Sequence, residues 1–214
     1  MDSAWARRGR GGATGVDLWR DGPGFVVSGP SGSGRSTALA TLALGLLARG
    51  TPVALVASTR SPLRGLAHLP GVLATVDGTQ GDTLAAALVA EAVVLADDAE
   101  WLTDTPVGDL LTGRLRRDGA SPVVVAGRGD DLATTFRGVT VEARRSGAGL
   151  LLCPGQAEGD LLRVRLPRGP AETTPGRGVL VTAGRPTRIQ VALPPEPAAA
   201  GSRGPETQPM WGYR

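Results

Sequence analysis

The residues from Gly29 to Thr37 have the types and spacing of a loop that binds phosphate. Its glycines let backbone N–H groups turn toward an anion, and the loop lies between an apolar segment and an amphipathic one. The pattern G-x-x-x-x-G-K-[S/T] is matched except at the lysine position. We expect phosphate contacts from nine residues, namely Gly29, Pro30, Ser31, Gly32, Ser33, Gly34, Arg35, Ser36 and Thr37. Ser36 is also placed to bind Mg²⁺. An ordinary glycine- and serine-rich turn is the alternative.

Arg35 stands where this pattern has lysine, and the exchange alters the expected chemistry. Lysine presents a compact charge on a flexible stem, whereas the guanidinium group of arginine is planar and bulkier. Arginine still neutralises phosphate charge. The loop therefore predicts that ATP binds with Mg²⁺ while hydrolysis is weakened.

Two consecutive aspartates follow the apolar run from Val93 to Ala96. In a phosphate-loop enzyme, an acid at the end of such a strand holds the metal and a second acid acts on the attacking water. We therefore predict that Asp97 binds Mg²⁺ through water and that Asp98 orients or deprotonates the attacking water. An ordinary strand end is the alternative, because an apolar run before two acids is a weak pattern by itself.

Three arginines are candidates for contact with the γ-phosphate. Arg128 follows the apolar run 123–126, and a strand beside the metal-binding one often ends in a residue that senses this phosphate. Arg144 and Arg145 are candidates for a finger that enters the site of a neighbouring subunit. Exposed arginines without such a role are the alternative for all three.

Short apolar strands alternate with amphipathic helices around these residues, which predicts an α/β fold with a parallel sheet flanked by helices. The predicted strands are 25–28, 53–57, 71–76, 93–96 and 122–126, and the predicted helices are 36–49, 83–92 and 106–117. After residue 149 the pattern contains strands alone, at 150–153, 161–166, 178–182 and 187–193, with a hairpin turn at 183–186.

Composition excludes several kinds of site. The chain of 214 residues has 23 basic residues, all of them arginine, and a net charge of +3. The absence of lysine and asparagine indicates a GC-rich genome, so Arg35 is not simply a selected loss of lysine. Because Cys153 and His68 are the single residues of their types, an internal disulfide and a cysteine-based zinc site are excluded, and a serine–histidine triad is disfavoured. An aromatic content of 3% argues against stacking platforms for single-stranded nucleic acid.

The composition also divides the chain into three parts. Residues 1–22 are predicted to be a flexible leader, 23–193 the folded domain, and 194–214 a disordered tail rich in proline, alanine and glycine. No apolar run reaches the roughly 18 residues that a bilayer requires, and no secretory signal is visible. We therefore expect a cytoplasmic protein without direct membrane insertion, with a position at the inner face of the membrane through a larger assembly as the alternative.

Four segments together resemble the FtsK/SpoIIIE family of P-loop ATPases, over residues 15–193. They are the loop GPSGSGRST, the run VVLADDAEWLTDTPVGDLL, the stretch TFRGVTVEARRSGAGLLLCP and the end GRGVLVTAGRPTRIQVAL. The likeness is to the last ATPase module of multi-module members, including those of type VII secretion and FHA-linked relatives. It implies a RecA-like core, binding of ATP and Mg²⁺, hexameric rings or association with similar modules, and movement of DNA or engagement of secreted proteins.

The chain departs from this family's pattern at Arg35 and at Asp98, where glutamate is more common in active motors. It also shows no membrane anchor, preceding ATPase module or winged-helix domain, and a separate piece of a longer protein is one interpretation of the chain. Terminal modules in such proteins are often degenerate. We therefore expect an ATP-binding module with weak or absent hydrolysis inside a DNA- or protein-translocating assembly. An active DNA-translocating ATPase and a non-catalytic module that binds partners or secretion substrates are the alternatives.

Overall fold

The computed structural model describes residues 3–8, 13–117, 119–166 and 172–193, and within them ten strands form one sheet. The strands are β1 (Ser3–Arg8), β2 (Ala13–Val16), β3 (Gly24–Ser28), β4 (Val53–Val56), β5 (Val72–Val76), β6 (Val93–Ala96), β7 (Val123–Gly127), β8 (Gly149–Leu152), β9 (Arg177–Thr182) and β10 (Arg185–Val191). The helices are α1 (Arg35–Leu47), α2 (Gly81–Ala87), α3 (Pro106–Leu115), α4 (Gly129–Thr134) and α5 (Val139–Arg144). Three 3₁₀ helices lie at Pro62–Leu66, Ala99–Leu102 and Gln156–Leu162.

The sheet has a parallel part and an antiparallel part. Its strand order is β2-β1-β10-β9-β8-β3-β7-β6-β4-β5. The six strands from β8 to β5 in this order are parallel, and the pairs from β8 to β2 are antiparallel. This arrangement confirms the predicted α/β fold with a RecA-like parallel core and added C-terminal strands. Because parallel strands end at one edge, the chain brings the segments after β3, β4, β6 and β7 together there.

The central strands are buried on both faces. Val26 belongs to one apolar cluster, with Leu111 of α3, while Phe25 and Val27 belong to the other, with Leu42 of α1. Such strands consist of continuous apolar runs because helices cover both sides of the sheet. The apolar run continues to Val27 in β3 and to Ala96 in β6, so the polar residues that follow these runs lie at the edge of the sheet.

Local residues determine where several elements end. Gly34 adopts a left-handed conformation with φ 97°, and helix α1 begins at the next residue. After α1 the chain turns at Gly50, where φ is 76°. Ala183 and Gly184 both have positive φ and join β9 to β10, the arrangement that a two-residue hairpin turn requires. The predicted hairpin is therefore confirmed.

Two of the predicted elements have another form or another end in the structure. Residues 161–166 were expected to form a strand, but the 3₁₀ helix Gln156–Leu162 occupies the start of this segment. Arg163 then adopts φ 57°, and the Val164 N–H bonds back to Gly159, so the chain turns instead of extending. The helix expected over 83–92 ends at Ala87, because Leu88 is already extended.

The first residues also differ from prediction. Strands β1 and β2 lie within the segment 1–22 that composition predicted to be a flexible leader. They pair with each other, and β1 pairs with β10, so that Ala6 lies opposite Val191. This glycine- and arginine-rich segment shows no alternation of apolar and polar residues from which a strand could be predicted. The domain boundaries at 23 and 193 stay a prediction, and residues 194–214 lie outside the described residues. Across the described residues, no helix is both long and apolar enough to cross a bilayer.

Candidate functional site

The loop between β3 and α1 takes its shape from its glycines. A Cβ at Gly29 would lie 2.5 Å from the Ser33 hydroxyl and 2.8 Å from the Leu152 carbonyl oxygen, so no larger residue fits. Gly34 precedes α1 and offers no side-chain hydrogen bond to the first helical turn. Backbone N–H groups at such a helix start favour an anion, because the helix dipole adds positive potential. The loop thus has the local geometry of a phosphate site.

Arg35 lies across this loop. Its side chain is 12% exposed, and its Nη1 donates a hydrogen bond to the Gly29 carbonyl oxygen at 3.0 Å. Its Nη2 lies 3.6 Å from Oδ1 of Asp98. The guanidinium group therefore connects the start of the loop to the second of the two acids that follow β6.

Ser36 and Asp97 meet at the centre of the site. The Ser36 hydroxyl donates to Oδ2 of Asp97 at 2.8 Å, although the two residues lie on different elements. Asp97 is 4% exposed, and its Oδ1 has no hydrogen-bond partner among the described residues. A buried carboxylate oxygen without a donor is costly unless water or a cation meets it. Carboxylate and hydroxyl oxygens suit Mg²⁺, so these two residues fit the ion that the motifs predicted.

Asp98 is more exposed than Asp97 and adopts φ 49°. Partial burial raises the pKa of Asp98 above its ordinary value, the Asp97 charge raises it further, and the Arg35 charge opposes both. The carboxyl group is thus near the loop and bound to Arg35. Its role toward an attacking water stays a prediction.

Glu100 is a carboxylate at this edge that the sequence analysis did not single out. Its Oε2 is buried without a hydrogen-bond partner in the described part of the chain, and a Cβ at Gly127 would lie 2.6 Å from it. The backbone N–H of Arg128 donates to the same carboxyl group. Burial raises the pKa of Glu100. The 3₁₀ helix after Asp98 turns Glu100 back to the end of β7, a contact for which the sequence contains no motif.

The three candidate arginines contact other groups in this chain. Arg128 lies 3.5 Å from Asp131 and is about half exposed. Arg144 donates to the Thr135 carbonyl oxygen at 2.8 Å, and Arg145 lies 2.6 Å from Glu142. The roles of Arg128 as a sensor, and of Arg144 and Arg145 as a finger, stay predictions.

A cavity of about 320 Å³ opens beside the phosphate loop. It is lined by residues 30–33 of the loop, by residues 153–155 after β8, and by Glu172 and Thr173 before β9. The Gly176 N–H donates to the Ser33 carbonyl oxygen at 2.8 Å, which fixes this segment against the loop. The volume lies at the lower end of the range for small-molecule sites. The residues that line this cavity outside the loop, 153–155, Glu172 and Thr173, belong to no motif from which the sequence could have predicted them.

Several solved structures have the same architecture as this chain. The cytoplasmic domain of EssC matches with a TM-score of 0.74 at 16% identity, over 90% of this chain and 44% of that one. EccC of Thermomonospora curvata (ATPases 2 and 3, in complex with a signal sequence peptide) matches with a TM-score of 0.68 at 19% identity, over 89% and 41%. VirB4 of Thermoanaerobacter pseudethanolicus matches with a TM-score of 0.59 at 12% identity, over 91% and 97%. The chain shares their fold.

The resemblance predicted from the motifs is therefore confirmed at the level of the fold. No protein-family model matches the chain, and no curated protein matches its sequence. The chain spans less than half the length of the EssC and EccC structures. What those larger proteins do as a whole therefore does not transfer to this chain by likeness alone.

Proposed function

We propose that the chain binds ATP with Mg²⁺ at the loop between β3 and α1, and hydrolyses it weakly or not at all. The observation that carries the proposal is the 2.8 Å contact of Ser36 with the buried Asp97, beside an uncapped helix start. Loop N–H groups and Arg35 would hold the phosphates, and Ser36 with Asp97 would hold the ion. Bound Mg²⁺ would neutralise phosphate charge.

Weak hydrolysis is supported by the position of Arg35. Its guanidinium group lies 3.6 Å from Asp98, the acid expected to act on water, so the two groups partly neutralise each other. Arginine is also bulkier than the lysine that active phosphate loops carry. Both features favour binding of ATP over its turnover.

We further propose that the chain is a cytoplasmic module of a DNA- or protein-translocating assembly, beside similar modules or copies of itself, with a hexamer as one arrangement. The chain shares its fold with ATPases 2 and 3 of EssC, with the type VII secretion ATPase EccC, and with the conjugation coupling protein TcpA, whose structure contains ATPγS. In this proposal DNA is reached through the assembly. A module that binds secretion substrates without catalysis is the second candidate, because the EccC structure contains a signal sequence peptide.

The test is an ATPase assay and titration calorimetry with Mg-ATP on the wild-type chain and on Arg35→Lys. We expect binding in the wild type with little turnover, and a gain in turnover of about tenfold or more in Arg35→Lys, because lysine frees Asp98. Arg188→Lys, on an exposed part of β10, is the matched control and should change neither value.

Absence of binding at millimolar Mg-ATP would overturn the proposal. Turnover stimulated by DNA and lost in Asp98→Ala would instead identify an active motor. Peptide binding with background turnover would favour the substrate-binding module.

A further inference from the structure

Asp97 accepts a second hydroxyl hydrogen bond that the phosphate-loop pattern does not include. Ser61 donates from its Oγ to Oδ2 of Asp97 at 2.6 Å, on the same oxygen that accepts from Ser36. Ser61 is 7% exposed, so the contact is shielded from water. It joins a third segment, the connection between β4 and β5, to the candidate Mg²⁺ site.

The Ser61 hydroxyl is itself held in place. Its Oγ accepts the backbone N–H of Leu63 at 3.2 Å, at the start of the 3₁₀ helix Pro62–Leu66. Leu63 is fully buried in the apolar cluster on the α1 side of the sheet. With an acceptor site of the oxygen occupied by Leu63, the hydroxyl proton is directed toward Asp97.

Two donors on one carboxylate oxygen determine which oxygen remains for a ligand. Any rotation of the Asp97 carboxyl group short of a half-turn would move Oδ2 away from Ser36 and Ser61 together and would break both hydrogen bonds. A half-turn only exchanges the two equivalent oxygens. Oδ1 is therefore the oxygen that stays without a donor among the described residues. Hydrogen bonds behind a metal-binding group orient it, and their loss typically lowers metal affinity about 10- to 100-fold.

We propose that Ser61 is a positioning residue for the Mg²⁺ site, which holds Asp97 so that Oδ1 is presented to the ion. This inference rests on the proposed binding of ATP with Mg²⁺. If the Ser61 hydroxyl served only to cap its 3₁₀ helix, its loss would affect stability and leave the response to Mg²⁺ unchanged.

The experiment measures the dissociation constant of ATP by calorimetry, once with Mg²⁺ and once with EDTA, in the wild type and in Ser61→Ala. The dissociation constant in EDTA divided by the dissociation constant in Mg²⁺ gives the factor by which the metal strengthens ATP binding. We expect this ratio to fall about tenfold or more in Ser61→Ala, and Ser61→Thr to restore it because threonine keeps the hydroxyl. Ser61→Gly is the second variant, since glycine costs only a few tenths of a kcal/mol at a cap and should lower the ratio in the same way. Thermal melting verifies that each variant is folded.

The outcomes separate this inference from the proposed function. A wild-type chain that binds no ATP would overturn both. A wild-type chain that binds ATP equally with and without Mg²⁺ would overturn the role of Ser61. So would an unchanged ratio in folded Ser61→Ala and Ser61→Gly, while ATP binding itself would stand.

Discussion

At the scale of single residues, three carboxyl groups and one guanidinium group meet where β6 and β7 end. One oxygen of Asp97 accepts hydrogen bonds from two hydroxyls. Burial raises the pKa of Asp98 and of Glu100, and the charge of Arg35 opposes this rise at both. An edge with this concentration of acids is costly in the absence of a cation. The negative charge of these acids favours a cation at this edge.

The protonation of Glu100 makes the free energy of unfolding depend on pH. Because burial raises the pKa of Glu100 in the folded state above its unfolded value, stability falls as the pH rises from the unfolded pKa through the folded pKa. Below the unfolded pKa the group is protonated in both states and costs no stability. We expect Glu100→Gln to raise the free energy of unfolding at pH 7, because the amide removes the charge that burial disfavours; solvent screening of this partly exposed side chain keeps the gain below about 1 kcal/mol. The gain should vanish below about pH 4.

Urea unfolding of wild type and Glu100→Gln from pH 4 to pH 8 measures this difference. Glu91→Gln is the control, because Glu91 is exposed and should give parallel curves over the whole range. Parallel curves for Glu100→Gln as well would show that the burial of this carboxyl group has no energetic cost.

At the scale of elements, the packing of α3 requires glycine at position 108 but not at position 113. A Cβ at Gly108 would collide with the Leu102 carbonyl oxygen, at the point where the 3₁₀ helix Ala99–Leu102 meets α3. A Cβ at Gly113 would meet no atom within 4 Å. We expect Gly108→Ala to destabilise the fold by about 1–3 kcal/mol, because backbone must move. Gly113→Ala should stabilise it by about 0.5–1 kcal/mol through helix propensity.

Chemical denaturation of the two variants tests this contrast within a single helix. Similar effects of both substitutions, in either direction, would mean that the approach of α3 to Leu102 is not a constraint on the fold.

The elements also explain how much of the fold the sequence predicts. Strands β3, β4, β6 and β7 were placed to within two residues because their runs of valine, alanine and leucine are continuous and are bounded by polar residues, glycine or proline. Helices α4 and α5 were missed because six residues are fewer than two turns and show no period. The apolar residues of the segment 161–166 predict a strand, because they do not reveal the turn at Arg163.

Part of the candidate site can be predicted from the sequence, and part of it cannot. The loop from Gly29 to Thr37 and the pair that follows β6 are contiguous patterns, so the sequence contains them in full. Ser61 lies 36 residues from Asp97, and they meet because β4 and β6 are neighbouring parallel strands whose ends share an edge. A contact created by strand order is absent from any local pattern.

At the scale of the whole molecule, the parallel half of the sheet gathers the candidate site at one edge, and the antiparallel half closes one side of it. Strand β9 pairs with β8, and Gly176, just before β9, bonds to the loop at Ser33. The site is thus built from segments that are more than 140 residues apart in the chain. It exists only in the folded state.

A ligand that binds only the folded state must stabilise the whole fold by mass action. At a concentration of Mg-ATP one hundred times the dissociation constant, the gain is about 2.7 kcal/mol. For a chain of this size that corresponds to a rise in melting temperature of roughly 5–10 °C. We expect this rise in the wild type and its loss in Asp97→Asn when Mg²⁺ is present, because the amide removes the charge that faces the ion. Asp109→Asn, at an exposed position of α3, is the matched control and should keep the full shift. An equal shift in Asp97→Asn would mean that the nucleotide stabilises the fold through a site that does not include the end of β6.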